Sequence, residues 1–171
     1  MNKVARFEKV SYKQFKEDWL KTFSFDNEEH IEEIYKNIKL PNRSTTGSAG
    51  YDFYIPENFF IKRDDWITIP TGIRCYIEDG WVLAAFPRSG HGFKYGIHLA
   101  NTVGIIDADY YGAKNEGHIH IKLVNDSRLS SDLYLENGTA FCQGIFLPFG
   151  VTINDEVDVK RIGGFGSTDS K

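Results

Sequence analysis

The chain has 171 residues, enough for one domain with a hydrophobic core, or for one domain plus an extension. Its 41% hydrophobic and 15% aromatic content argues against disorder, and its formal charge of −4 argues against a general nucleic-acid binder, which would need a basic stripe. Because it has no apolar run of membrane-spanning length and no apolar secretion signal, we expect a cytoplasmic protein in which Cys75 and Cys142 are buried thiols.

Residues 1–41 are predicted to form a helical N-terminal extension. Ser11 can cap a first amphipathic helix, and Asp26 with Glu29 forms a capping-box pattern before a second helix that Pro41 ends. The apolar faces of the two helices carry Phe15, Trp19, Leu20, Phe23, Ile31, Ile34, Tyr35 and Ile38. We expect them to pack on the domain or on a neighbouring subunit, with a substrate-gripping arm as the alternative.

Residues 42–160 are predicted to form a β-rich core. Short runs of alternating apolar residues are separated by turn signals, a pattern typical of a β-sandwich or barrel and unlike a Rossmann fold. Asp79-Gly80 and Asn137-Gly138 each predict a two-residue type I′ turn that joins two adjacent strands.

Residues 101–112 are the most informative part of this core. Two isoleucines lead into Asp107, two tyrosines follow it, and alternation over residues 118–123 predicts a half-buried strand beyond. The pattern predicts a β-hairpin with one carboxylate at a strand end, beside aromatic rings and open backbone. Such a site suits a flat polar ligand next to a general base, although an ordinary hairpin with a capping aspartate fits the same residues.

Two turns at strand ends carry polar groups that suit phosphate or metal. Arg88, Ser89 and Gly90 offer a guanidinium, a hydroxyl and bare backbone to an anion, or form an ordinary surface turn. Asp52 can orient a hydrated Mg²⁺ or satisfy the amides of its own turn.

Residues 161–171 are predicted to be a flexible, glycine-rich lid. Glycine-rich backbone, the hydroxyls of Ser167 and Thr168 and the guanidinium of Arg161 suit phosphate oxygens. Phe165 has no local packing partner, so its ring can close over a base. The alternative is an unstructured terminus.

Five segments, in this order, resemble the motifs of the trimeric dUTP pyrophosphatases. They are Ala-Gly-Tyr-Asp (49–52), Pro-Arg-Ser-Gly (87–90), Gly-Ile-Ile-Asp-Ala-Asp-Tyr-Tyr-Gly (104–112), Gly-Thr-Ala-Phe-Cys-Gln (138–143) and Arg-Ile-Gly-Gly-Phe-Gly-Ser-Thr (161–168). The resemblance implies a mainly β, jelly-roll-like fold and a homotrimer with shared active sites. It also implies Mg²⁺ as cofactor and hydrolysis of dUTP to dUMP and pyrophosphate, which limits uracil in DNA and supplies dUMP for dTMP synthesis.

The resemblance assigns roles to individual residues. Asp107 would activate the water that attacks the α-phosphate, Gln143 would help to hold that water, and Asp52 would bind Mg²⁺ through water. Asn101 would pair with uracil, and Tyr110 would lie under the deoxyribose and leave no room for a 2′-hydroxyl. The implied substrate-binding residues are Arg88, Ser89, Gly90, Asn101, Gly104, Tyr110, Gly117, Arg161, Phe165, Gly166, Ser167 and Thr168.

Within the tail, the resemblance implies that Phe165 stacks on uracil and that Arg161 contacts the γ-phosphate. The chain departs from the family pattern at residues 113–116, which lengthen a turn, at Ala140, where many members have arginine, and at Asp169, where glycine is usual.

Two rival functions are a dCTP deaminase-like enzyme and a nucleotide-sensing regulator that uses the same pocket. A deaminase would need a glutamate where Lys122 stands, and lysine is a poor general base unless its pKa is strongly perturbed. His118 and His120 face the same side of a predicted strand, as zinc ligands would, but no third ligand is evident at a useful spacing. Surface or interface histidines are the alternative.

Overall fold

The computed structural model describes residues 2–126 and 132–158, which form strands, three α-helices and one 3₁₀ helix (Ala108–Gly112). The strands are β1 (Ala5–Lys9), β2 (Tyr51–Tyr54), β3 (Phe59–Ile61), β4 (Trp66–Pro70), β5 (Ile73–Ile77), β6 (Trp81–Pro87), β7 (Ile97–Leu99), β8 (Gly104–Ile106), β9 (His120–Asn125), β10 (Leu133–Leu135) and β11 (Ala140–Pro148). The helices are α1 (Tyr12–Thr22), α2 (Glu28–Asn37) and α3 (Ser89–Tyr95). The predicted lid, residues 161–171, lies outside the described residues.

The strands form antiparallel sheets that share one core. The largest sheet has the order β2–β11–β6–β8 and the next has the order β4–β9–β7, while β1–β5 and β3–β10 form two-stranded sheets. Alternation decides which side chains are inside: Ile73, Cys75 and Ile77 of β5 are buried, and the residues between them are not. Leu83 of β6 and Leu123 of β9 belong to the same hydrophobic cluster. The predicted mainly β, jelly-roll-like fold is therefore confirmed.

The two predicted type I′ hairpin turns are wrong. Within these turns only Gly80 and Gly138 have positive φ (81° and 77°), whereas a type I′ turn needs positive φ at Asp79 and Asn137 as well. The strands on either side of each turn belong to different sheets: β5 pairs with β1 and β6 with β11, and β10 pairs with β3 and β11 with β2. Each turn thus carries the chain from one sheet to another.

The hairpin predicted over residues 101–123 is also wrong. β8 pairs with β6, and β9 pairs with β4 and β7. The 3₁₀ helix and the turn after it carry the chain between the two larger sheets. The polar residues of this stretch therefore lie on a connection between sheets.

The first residues contain a strand, β1, that the helical prediction missed, and it pairs with β5. As predicted, Ser11 caps α1, since its hydroxyl accepts a hydrogen bond from the Gln14 backbone N–H at 3.2 Å. The cap of α2 is Asn27, which accepts from the His30 N–H at 2.9 Å, so the prediction of Asp26 in that role is wrong.

Both N-terminal helices pack on the domain. Phe15 and Trp19 of α1 and Ile31 and Ile34 of α2 are buried in the same hydrophobic cluster as the strands. Their burial of apolar surface stabilises the β core as well as the helices. The proposed division of the chain at residues 41 and 160 stays a prediction.

The two cysteines are buried free thiols, as predicted. Burial raises the pKa of Cys75 and of Cys142 to about 12 in each case, so both stay protonated and unreactive at neutral pH. In the described part of the chain, every helix is too short or too polar to cross a bilayer.

Candidate active site

The connection between the two larger sheets lines a cavity in the described structure, with a volume of about 730 Å³. That volume is typical of a small-molecule site. Four of the predicted site residues line it together: Asn101, Gly104, Asp107 and Tyr110. Its other lining residues are Thr68, Ala85, Leu99, Ala100, Val103, Ile105, Ile106, Ile119, His120, Ile121 and Lys122.

Two tight turns after β7 place Asn101 beside β8. The Thr102 N–H donates to the Leu99 carbonyl at 2.9 Å, the Val103 N–H donates to the Asn101 carbonyl, and Thr102 has a φ of 64°. A side chain at position 104 would begin 3.3 Å from the Ala85 Cβ and 3.8 Å from the Asn101 Nδ2. Glycine at position 104 therefore leaves room beside the Asn101 amide.

Asp107 stands at the end of β8 and precedes the 3₁₀ helix. Its backbone carbonyl accepts from the Tyr110 N–H at 3.2 Å, but its carboxylate does not cap the 3₁₀ helix. The side chain is half-buried and lines the cavity. The structure therefore disfavours the capping interpretation of this aspartate.

Tyr110 presents its ring to the cavity and anchors its hydroxyl inside the protein. The residue is 7% exposed, and its hydroxyl donates to the His118 carbonyl at 2.9 Å. Gly117 lies behind it with a φ of 70°, and a Cβ there would be only 2.7 Å from the Tyr110 carbonyl oxygen. Gly117 is not among the residues that line the cavity, and the structure places it where it supports the Tyr110 backbone.

Asp52, Arg88 and Gln143 form a second group on adjacent strands of the largest sheet. Gln143 is opposite Asp52 on one side and Phe86 on the other. The Arg88 Nε lies 3.2 Å from the Asp52 Oδ1, and the Ser44 hydroxyl donates to the Asp52 Oδ2 at 3.0 Å.

The side-chain amide of Gln143 is fixed by a hydrogen bond and packs closely against Gly50. Its Nε2 donates to the Pro87 carbonyl at 3.2 Å. A Cβ at Gly50 would come within 2.6 Å of the Gln143 Oε1, so the small residue before Tyr51 makes this approach possible. Ser89 and Gly90 begin α3 and line a separate open cavity of about 620 Å³ together with Arg88.

Within one chain, the two groups of predicted site residues do not meet. Ile106 of β8 pairs with Leu83 of β6, so Asp107 is level with Val82, near the start of β6. Arg88 lies just beyond the other end of the same strand. Six residues of extended strand separate the two levels, a distance of about 20 Å at roughly 3.3 Å per residue. The two groups also line different cavities.

His118 and His120 have a third potential ligand that the sequence did not reveal, because Asp18 of α1 lies beside them. However, the His118 Nε2 accepts the Gly72 N–H at 2.8 Å, which requires the proton of the neutral ring to be on Nδ1. That Nδ1 donates to the Asp18 Oδ2 at 2.7 Å and offers no lone pair to a metal. The cluster is therefore a hydrogen-bonded network rather than a zinc site.

Two polar cavity residues on β9 were not predicted as part of the site. His120 lines the cavity, and burial, together with the neighbouring His118, lowers the pKa of His120 to about 4, so its ring is neutral at neutral pH. Lys122 places its Nζ 3.5 Å from the centre of the Trp66 ring. Period-two alternation in residues 118–123 could have revealed them, since even-numbered positions such as 120 and 122 share one face of the strand.

Comparisons with known proteins agree on one family. The family model for dUTPase matches residues 36–168. The chain is 42% identical over 139 residues to the deoxyuridine 5′-triphosphate nucleotidohydrolase of Lactococcus lactis, covering 78% of this chain and 91% of that protein. It is 35% identical over 147 residues to the corresponding protein of Dictyoglomus turgidum, covering 81% and 95%.

Solved structures give the same result. The crystal structure of dUTPase from Streptococcus mutans superposes with a TM-score of 0.64 at 33% identity, covering 85% of this chain and 97% of that chain. The dUTPase from phage phi11 of S. aureus superposes with a TM-score of 0.62 at 17% identity, covering 96% of this chain and 99% of that chain, which shows the shared fold alone.

Proposed function

Because the chain belongs to the dUTPase family and is a dUTP diphosphatase, we propose that Asp107 activates the water that attacks the α-phosphorus of dUTP. The observation that carries this proposal is that Asp107 lines the same cavity as Asn101 and Tyr110. Asp107 takes a proton from the water, whose oxygen bonds to the α-phosphorus. The bond to the bridging oxygen breaks, and dUMP and pyrophosphate separate. A positioned base contributes about 10²–10⁴-fold to such a rate.

We propose that the same cavity selects the base and the sugar. Uracil presents an acceptor, a donor and an acceptor, which the Asn101 amide and the backbone beside Gly104 can match, whereas cytosine reverses one part of this pattern. Each unmatched buried polar group costs about 1–3 kcal/mol. The Tyr110 ring, held from behind by its hydroxyl, leaves no room for a 2′-hydroxyl.

Arg88, Ser89 and Gly90 are proposed to bind the phosphate chain, with Gln143 helping to hold the attacking water. The Asp52 carboxylate suits hydrated Mg²⁺, since each of its oxygens has one protein partner and keeps a lone pair for a metal-bound water. When bound, Mg²⁺ would neutralise charge on the triphosphate. Arg88 remains beside Asp52 as a second cation for the departing pyrophosphate.

We propose that the active site is completed by other copies of the chain in a homotrimer. Asp107 and Arg88 of one chain lie about 20 Å apart along β6, too far for both side chains to act on the same phosphorus. The tail residues Arg161, Phe165, Gly166, Ser167 and Thr168 lie outside the described residues. We propose that this tail closes over the nucleotide, in a cytoplasmic enzyme that limits uracil in DNA and supplies dUMP for dTMP synthesis.

The rival deaminase activity finds no support at its key position. Lys122 stands where a deaminase would need a glutamate, and its Nζ lies 3.5 Å from the centre of the Trp66 ring. The assay is to incubate the protein with Mg²⁺ and dUTP, dCTP, UTP or dTTP, and to measure pyrophosphate and ammonia separately. We expect pyrophosphate from dUTP, and ammonia from dCTP would support the rival instead.

The role of Asp107 is tested by Asp107→Asn. We expect pyrophosphate release to fall by about 10²–10⁴-fold while dUTP still binds in calorimetry, because the amide keeps the shape but cannot accept the proton. Asp109→Asn is the matched control, since Asp109 is exposed on the same 3₁₀ helix and does not line the cavity. Normal turnover by the Asp107→Asn protein would refute the assignment.

A further inference from the structure

The N-terminal segment contacts the connection that carries Asp107 and Tyr110 at three separate points. The Tyr111 hydroxyl donates to the Glu8 carboxylate at 2.7 Å. Ser11 donates from both its N–H and its hydroxyl to Glu116, at 2.7 Å each. The third contact joins Asp18 of α1 to His118 at the far end of the connection.

The Asp18–His118 contact is the most buried of the three. The His118 side chain is 0% exposed and that of Asp18 is 8% exposed. Burial acts to raise the pKa of Asp18, but hydrogen bonds from His118 and Gln14 outweigh it and hold the pKa below its ordinary value. Asp18 is therefore an ionised acceptor for the His118 Nδ1–H, and truncating it would leave that buried donor without its partner.

His118 in turn holds Tyr110 through its own peptide group. Its carbonyl accepts the Tyr110 hydroxyl at 2.9 Å and the Asn115 Nδ2 at 3.3 Å, and Asn115 also donates to the Tyr110 hydroxyl at 2.8 Å. On the other side, the His118 ring accepts the Gly72 N–H at 2.8 Å. The orientation of this peptide thus fixes where the Tyr110 ring stands in the cavity wall.

We infer that Asp18 is a positioning residue of the dUTP site: by holding His118, it fixes the Tyr110 ring against the deoxyribose. Helix α1, which precedes the family motifs, thereby contributes to the choice between dUTP and UTP. This inference rests on the role proposed above for Tyr110 and deepens it. A mobile Tyr110 ring would admit a 2′-hydroxyl, so loss of Asp18 relaxes sugar selection before it reduces base selection.

The test compares kcat/KM for dUTP and for UTP in the full chain with Mg²⁺. We expect Asp18→Ala to lower the dUTP:UTP ratio by roughly 10-fold, as part of the ~100-fold that a pocket wall can impose against an added hydroxyl. The ratio comes from one preparation, so an inactive fraction cancels and a purely structural role would leave it unchanged. Asp18→Asn keeps an acceptor for the His118 Nδ1–H and should restore most of the selectivity.

A second variant keeps the inference falsifiable if Asp18→Ala does not fold. His118→Met has no donor for Asp18 and only a weak sulfur acceptor for the Gly72 N–H, so it should lower the ratio at least as much as Asp18→Ala does. Where both single variants fold, the double variant should lower it no further than His118→Met alone, because Asp18 acts only through His118. Glu17→Ala, on the exposed face of the same helix, is the control and should leave the ratio unchanged.

The outcomes separate the two proposals. Wild-type selectivity in Asp18→Ala or His118→Met, or additive losses in the double variant, would overturn the role of Asp18. A wild-type protein that releases pyrophosphate from UTP as readily as from dUTP would instead overturn the proposed role of Tyr110.

Discussion

Gly117 provides a quantitative test of how the cavity wall is supported. Its φ of 70° is unfavourable for any residue with a Cβ, and a Cβ there would lie 2.7 Å from the Tyr110 carbonyl oxygen and 2.8 Å from the Tyr111 Cα. The left-handed conformation costs about 1–2 kcal/mol for an L-residue. Alanine offsets part of this cost, because it lowers the conformational entropy of the unfolded chain and so stabilises the fold by about 0.4–1 kcal/mol. Overpacking against fixed backbone adds about 1–3 kcal/mol. We expect Gly117→Ala to lower the free energy of unfolding by about 2–4 kcal/mol.

Two control variants separate the contributions of backbone strain and steric clash. Gly80 has a φ of 81°, but a Cβ added there would have no atom within 4 Å, so Gly80→Ala reports strain alone and should cost about 1 kcal/mol. Gly112 has neither positive φ nor a near neighbour, and Gly112→Ala should change stability by less than about 0.5 kcal/mol.

The assay is thermal unfolding at one fixed protein concentration, since the proposed assembly would make Tm depend on concentration. For a chain of this size, 1 kcal/mol corresponds to about 2–4 °C, so Gly117→Ala should lower Tm by roughly 5–15 °C and Gly80→Ala by a few degrees. Equal Tm values for the Gly117 and Gly80 variants would show that the Tyr110 backbone yields to the new methyl group, and would refute the rigid-wall argument.

The remaining predictions concern assembly and pH. Asp107→Asn and Arg88→Ala should each be inactive alone but regain part of the activity when refolded together, because mixed copies of the proposed homotrimer would contain sites with both native residues; no recovery of pyrophosphate release would argue against shared sites. Hydrogen bonds to Asp26 and to Glu57 raise the pKa of His30 in the folded protein, although burial opposes the shift. Protonated His30 therefore stabilises the fold fully below the unfolded-state pKa of about 6.5, and this stabilisation is lost as pH rises through the higher folded-state pKa. His30→Gln should remove that part of the pH dependence of Tm; an unchanged Tm–pH profile would contradict it.

The sequence predicted the strands of the core better than it predicted which strands pair. Alternation at Ile73, Cys75 and Ile77 identifies β5 because burial on one face needs only local periodicity. It cannot say that β5 pairs with β1, since pairing depends on residues far away in the chain. The turn at Asp79-Gly80 was therefore recognised as a turn and wrongly assigned to a hairpin.

The candidate site shows the same limit. Asn101 and Asp107 could be proposed from the sequence because their chemistry is local to one segment and fits a known motif order, and the structure places both at one cavity. Asp18 was missed because it lies on an amphipathic helix with no motif, and only the packing of α1 brings it to His118. β1 was missed because charged Arg6 and Glu8 interrupt its apolar positions, although their alternation with Ala5 and Phe7 is a strand pattern.

The pairing of β2 with β11 has a consequence for the order in which the protein folds. Asp52 meets Gln143 only when a strand near the start of the β core pairs with one near the end of the described chain. Contacts between distant segments form slowly, because a long loop must close before any bond rewards it. A nascent chain therefore cannot assemble this pair, or the part of the site around Asp52, until β11 has emerged from the ribosome.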